Sequence, residues 1–158
     1  MLGANALCIE IKANKNQPEC SSARSLSNFL TRGRIVVMKT IFLVDDSATI
    51  LLSISNVLTK AGYGVEKAGN AEEALKKFNA GVTVDLLITD LNMPGMNGIE
   101  LIKEVRKLPR YKFMPILFLT TESQQSKRME AKAAGASGWI VKPATADELL
   151  NTIKLVVR

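Results

Sequence analysis

Four apolar runs in the sequence each end on a polar residue of a kind that phosphoryl chemistry uses. TIFLV runs into Asp45 and Asp46, VDLLIT into Asp90, ILFL into Thr120, and WIV into Lys142. If these runs are strands of one open parallel sheet, their carboxyl ends gather on one edge, beside the crevice where such sheets bind ligands. Three carboxylates, a hydroxyl and an ammonium then converge there. Two like charges about 4 Å apart repel by roughly 4 kcal/mol at an effective dielectric of about 20, so the cluster demands a cation. Lys142 neutralises only one carboxylate. With oxygen donors and no His or Cys nearby, a hard divalent ion suits the remaining charge, Mg2+ with several waters retained foremost. Mg2+, Thr120 and Lys142 can each take one equatorial oxygen of a phosphoryl group, whose transfer asks a protein mainly for positioning and charge neutralisation. The nucleophile is then a carboxylate, and Asp90, alone at the end of the run that reads as the central strand, is the best candidate.

Each of these residues has a plainer reading when taken alone. An Asp at a strand end usually caps a helix or fills a turn. Asp45-Asp46-Ser47 can be only a cap, and Lys142-Pro143 only a turn. What favours function is their joint occurrence, in order, at four successive strand ends.

The elements that must position them follow from the apolar pattern. From Met38 onward, short strand-like runs alternate with helix-period segments, five pairs in all, which predicts an α/β fold with a parallel sheet and crossover helices. Ile50, Leu51, Ile54, Val57, Leu58 and Ala61 form one helical stripe that Gly62 can end. GVEKA reads as a short second strand. Asn70 with Glu73 predicts a capping box and a helix burying Ala71, Ala74, Leu75 and Phe78. VDLLIT lacks polar alternation, as a strand buried on both faces does. Asn97 with Glu100 opens a third helix carrying Ile99, Ile102 and Val105, broken at LPRYK. The fourth helix, from about Ser123 to Ala134 with Gly135 after it, has the weakest pattern. Thr145 with Glu148 opens the last, which carries Leu149, Leu150, Ile153, Val156 and Val157.

Composition bounds the rest. The chain has 158 residues, is 47% hydrophobic and carries a formal charge of +6, which fits one soluble domain with a real core. That charge is scattered, without aromatic interleaving, so nucleic-acid binding is not expected. No run of about 18 apolar residues predicts a membrane span, and the first dozen residues do not read as a secretory signal. Residues 1–37 show no sustained periodicity and read as an extension outside the fold. Met38 is a second candidate start, a genuine tail the alternative. Both cysteines, Cys8 and Cys20, lie in that segment. The rest is free of cysteine, which is consistent with a reducing cytoplasm.

From Met38 to Arg158 the chain resembles a response-regulator receiver domain of the CheY type, through VDDS, TDLNMPGMNG, LTTES and GWIVKP in that order. The resemblance implies a flavodoxin-like, CheY-like fold: a five-stranded parallel sheet in the order 2-1-3-4-5 with five helices on both faces. It implies phosphorylation of Asp90. Asp46 and Asp90 would ligate Mg2+, with Asp45 acting directly or through water and the backbone carbonyl of Asn92 completing the protein ligands. Thr120 would be the switch hydroxyl that moves toward the phosphoryl group, and Lys142, whose bond to Pro143 is often cis in the family, would pair with it. Asn92 and Glu122 stand where the family tunes hydrolysis. Trp139 takes the place of a switching Tyr or Phe. Its bulk and donor-only indole depart from that pattern, and an ordinary half-buried aromatic is the alternative. Ala144 is smaller than the Phe of well-known chemotaxis members, so the partner surface is expected to differ.

The implied function is a stand-alone switch of two-component signalling, in chemotaxis. A chemotaxis-type histidine kinase would donate the phosphoryl group, with a phosphatase as a possible further partner. With no output domain expected after Arg158, a downstream protein such as a flagellar motor switch component would bind the face of the fourth helix, fifth strand and fifth helix. A cytoplasmic monomer is expected, which catalyses only its own phosphoryl acceptance and hydrolysis. Three other readings stay open. An aspartate-nucleophile phosphatase usually needs a second acid two residues after the nucleophile, where this chain has Asn92. A flavin binder would have its phosphate repelled by Asp45 and Asp46. A receiver-like module that binds without phosphorylation is the third.

Overall fold

The structure, a computed structural model, describes residues 38–157. The expected extension over 1–37, with Cys8 and Cys20, lies outside the described residues. Strands β1 (Thr40–Val44), β2 (Gly64–Ala68), β3 (Leu86–Thr89), β4 (Ile116–Thr120) and β5 (Gly138–Val141) alternate with helices α1 (Ala48–Lys60), α2 (Ala71–Asn79), α3 (Gly98–Lys107), α4 (Gln125–Ala133) and α5 (Ala146–Val156). All strand pairs are parallel and the order is β2-β1-β3-β4-β5, as the resemblance implied.

The apolar runs do not alternate with polar residues because both faces of the sheet are covered. Successive strand residues point to opposite faces. Phe42, Val44, Leu87, Ile116 and Phe118 pack with Ala74 and Phe78 of α2 and Leu101, Ile102 and Val105 of α3. Ile41, Leu43, Leu86, Ile88, Leu117 and Leu119 pack with Leu58 of α1 and Leu149 and Ile153 of α5. Phe42, Phe78 and Tyr111 form an aromatic chain with ring centroids 5.0 and 4.8 Å apart, and burying each such ring stabilises the fold by about 1.5–3 kcal/mol. The edge strand β2 exposes Glu66 and Lys67, charges that discourage pairing with another chain.

Caps set the helix starts and therefore the strand ends. Ser47 caps α1, accepting from the Ile50 N–H, and Gly62 follows its end at φ +89°. Asn97 with Glu100 and Thr145 with Glu148 form complete capping boxes. Asn70 caps α2, but the Glu73 carboxylate accepts from the N–H of Gly69, one residue before the cap, so the expected box is displaced. After α3, Pro109–Tyr111 form a 3-10 turn where LPRYK predicts a break. Helix α4 begins two residues later than expected. Glu122 draws the Gln124 N–H to its own carboxylate, and no side chain caps this helix.

Arg106 ties the far end of α3 to the connections that lead into β4 and β5. Its guanidinium donates to the carbonyls of Tyr111, Met114 and Gly135 at 2.8, 2.7 and 2.7 Å. Burial depresses its pKa below the ordinary value.

Candidate functional site

The hydrogen-bond ladder continues past the strand ends and fixes the residues that follow them. Asp45 N–H donates to the carbonyl of Ala68, Asp90 N–H to that of Val44, and Lys142 N–H to that of Thr120. Neighbouring strands thus carry Asp45, Asp90, Thr120 and Lys142 to one edge in the order β1, β3, β4, β5. Lys142 starts two strands away from Asp90, and its long side chain spans the gap. Its ammonium lies 2.6 Å from Asp45 Oδ2 and 3.0 Å from Asp90 Oδ2. The three side chains are nearly enclosed, at 13% exposure for Lys142, 7% for Asp45 and 11% for Asp90. The Lys142-Pro143 peptide bond is cis.

Backbone donors hold the other carboxylate oxygens. Asp45 Oδ1 accepts from Ser47 N–H at 2.9 Å, and Asp90 Oδ1 from Leu91 N–H at 2.6 Å and more loosely from Asn92 N–H at 3.4 Å. The loop after β3 closes through a bond from Gly98 N–H to the Leu91 carbonyl. A methyl group at Gly98 would collide with the Asp90 carbonyl oxygen and stand 2.7 Å from the Phe118 ring. Only glycine lets α3 begin so close to Asp90.

Asp45, Asp46 and Asp90 each offer a carboxylate oxygen, and these oxygens lie within 4.8 Å of one another. Asp46 is exposed. Burial alone would depress the Lys142 ammonium, but hydrogen bonds and charge pairing with Asp45 and Asp90 outweigh it, and its pKa is raised above the ordinary value. The ammonium is therefore charged at neutral pH. One cation against three carboxylates leaves two formal negative charges. Clustered oxygen donors with that net charge fit a hard divalent ion. The acidic cluster can hold a metal.

Thr120, the last residue of β4, is fully buried, and its hydroxyl oxygen accepts from the Glu122 N–H at 3.2 Å. The carbonyl of the same Glu122 accepts from the indole N–H of Trp139 at 3.1 Å. Trp139 is half-buried, its ring 5.1 Å from Phe118 on one side, with the Arg128 guanidinium of α4 lying 5.8 Å from its centroid. The structure thus gathers Asp45, Asp46, Asp90 and Lys142 into one cluster and joins Thr120, Glu122 and Trp139 into a second, connected chain. Asn92 reaches the first cluster through its backbone N–H, and its side chain is exposed. Sequence reasoning missed Arg128 because no local pattern links it to Trp139.

Residues 41–154 match the response regulator receiver domain family. The chain belongs to that family. It is 40% identical to the Helicobacter pylori chemotaxis protein CheY1 over 118 residues, which are 74% of this chain and 95% of that protein. It is 38% identical to the Pseudomonas aeruginosa chemotaxis protein CheY, over 73% of this chain and 94% of that one. The solved structure of Vibrio cholerae CheY4 superposes with a TM-score of 0.73 at 46% identity, covering 75% of this chain and 98% of that one. This receiver is a phospho-accepting response regulator of the chemotaxis type. Among the described residues, no helix is long and apolar enough to cross a membrane.

Proposed function

We propose that Asp90 accepts a phosphoryl group from a chemotaxis-type histidine kinase. An Asp90 carboxylate oxygen attacks phosphorus, the phosphorus–nitrogen bond of the phosphohistidine breaks, and the imidazole leaves with the electron pair. The observation that carries this reading is the Lys142 ammonium bridging Asp45 and Asp90, at 2.6 and 3.0 Å, beside a third carboxylate. Asp46 and Asp90, with Asp45 directly or through water and the carbonyl of Asn92, are the residues that hold Mg2+. When bound, the ion neutralises the charge that develops on the phosphoryl oxygens. Lys142 leaves one carboxylate to pair with a phosphoryl oxygen, and the Thr120 hydroxyl turns from the Glu122 N–H to donate to another. Hydrolysis returns the carboxylate as water attacks phosphorus and inorganic phosphate departs. The side chains of Asn92 and Glu122 set how easily that water is placed.

The chain works as a monomeric switch in the cytoplasm and turns over no external substrate. The phosphatase reading is disfavoured because Asn92, which cannot donate a carboxylic proton, stands where those enzymes carry an acid. Phosphorylation changes the face of α4, β5 and α5, which is read by a downstream protein such as a flagellar motor switch component, and a phosphatase can shorten the signal. No nucleic-acid or membrane-inserted partner is part of the reading. Intact-protein mass after incubation with acetyl phosphate tests it. A gain of one phosphoryl group that needs Mg2+ and is lost on chelation and in Asp90→Asn is the expected result. Phosphorylation that persists in Asp90→Asn would overturn the assignment.

A further inference from the structure

The loop that carries Asn92 is braced from outside the site by a residue the site does not contain. Glu72, in the first turn of α2, reaches across to the loop between β3 and α3, where its Oε1 accepts from the Met96 N–H at 3.1 Å. Gly95 sits beneath the carboxylate at φ +78°, and a methyl group there would stand 2.7 Å from the same oxygen. The glycine thus serves both a left-handed backbone and the close approach of Glu72. The far side of the loop is closed by Gly98 N–H on Leu91 and by Leu91 and Asn92 N–H on Asp90. Between Asn92 and the Asn97 cap of α3, Glu72 ties the loop to α2.

We propose that Glu72 is a positioning residue that holds the loop in the conformation presenting the Asn92 carbonyl to the metal. This inference rests on the metal reading above. Partners that orient metal ligands typically change affinity by about 10- to 100-fold, and because Glu72 acts through backbone the lower end applies. Its helix-start charge is a separate contribution, since an acidic residue in the first turn also favours the helix dipole.

Three variants separate the two roles. Glu72→Asp keeps the charge but is a methylene too short to reach Met96. Glu72→Gln keeps the reach and an acceptor oxygen without the charge. Glu72→Ala loses both. Mg2+ affinity is read by calorimetry, and the apparent Mg2+ constant for phosphorylation by acetyl phosphate is read alongside it. We expect Glu72→Ala and Glu72→Asp to bind Mg2+ about 10-fold more weakly, with the phosphorylation rate recovered at saturating Mg2+ and Glu72→Gln close to wild type. Wild-type affinity in folded Glu72→Asp, or a rate defect that saturating Mg2+ does not repair, would overturn the proposal alone. Wild-type protein that takes up no Mg2+ would overturn the metal reading and the brace with it.

Discussion

Lys142 occupies the carboxylates that would hold a divalent ion, and its removal should weaken the metal-free protein while tightening metal binding. At 2.6 and 3.0 Å, each ion pair gains roughly 6 kcal/mol of Coulomb energy at an effective dielectric of about 20. Desolvation of three nearly enclosed charges takes back most of this. Removing one partner of a buried pair costs about 3–5 kcal/mol in practice, and the open side toward Asp46 favours the low end. Lys142→Met should therefore lose about 3 kcal/mol in metal-free urea unfolding, an amount that a domain of 5–15 kcal/mol survives. The same change removes a positive charge from beside the ion. Unit charges about 4 Å apart interact by about 1 kcal/mol even at the dielectric of water and a dication doubles this, so an ammonium on the same carboxylates would cost metal affinity on the order of 10-fold. Calorimetric titration should show Mg2+ binding the variant at least about 10-fold more tightly, and Mg2+ at about 100 times its dissociation constant should restore roughly 2.7 kcal/mol of stability. Unchanged metal-free stability, or Mg2+ affinity equal to or below wild type, would refute the competition between ammonium and metal.

Other perturbations probe the remaining contacts. The Lys142 pKa is raised above its ordinary 10.5, so its contribution is complete below that pH and is lost as pH rises through the folded value; metal-free stability should fall more steeply above about pH 10.5 in wild type than in Lys142→Met. Trp139→Phe removes the donor to the Glu122 carbonyl, and urea unfolding should show a loss of about 0.5–1.5 kcal/mol together with a changed phosphoryl lifetime. Gly98→Ala drives a methyl group into the Asp90 carbonyl and to 2.7 Å from the Phe118 ring; we expect about 1–3 kcal/mol of destabilisation and slower phosphorylation, and wild-type rates would contradict the tight seating of Asp90. Arg106→Lys lacks the planar fork that reaches three carbonyls on two separate segments at once, and a loss of about 2 kcal/mol in unfolding is expected.

The strand ends were legible because they depend on short-range physics. A run buried on both faces must be apolar throughout, so β1, β3 and β4 announced themselves, and the polar residue that ends each run marks the sheet edge. Caps were legible for the same reason, since Asn97 with Glu100 and Thr145 with Glu148 interact within one turn. Where two acceptors compete for nearby donors, spacing alone fails. Glu73 satisfies Gly69 rather than its own cap, and Glu122 takes the Gln124 N–H and delays α4. Contacts between distant segments leave no periodic trace. Arg106 on the Gly135 carbonyl, Arg128 over Trp139 and Glu72 on Met96 each join residues from different elements. Their positions depend on how the helices lie on the sheet, which the sequence specifies only through the whole core.

The link between Thr120 and Trp139 of β5 passes through one residue's backbone. Glu122 donates its N–H to the Thr120 hydroxyl and accepts the Trp139 indole on its carbonyl. Under the proposed mechanism, Thr120 must give up that N–H to donate toward a phosphoryl oxygen. The freed peptide group then needs a new partner, because an unpaired amide away from water costs about 1–3 kcal/mol. That peptide meets the next one at the Glu122 Cα, so reorienting it turns the Glu122 backbone and with it the carbonyl that holds Trp139, over whose ring lies Arg128 of α4. A donor-only indole makes this link directional, since Trp139 can follow the Glu122 carbonyl but cannot accept the released N–H as a tyrosine hydroxyl could. Helix α4 suits the receiving end. It has no side-chain cap, and only Ala131 is buried along it, so little packing opposes its displacement.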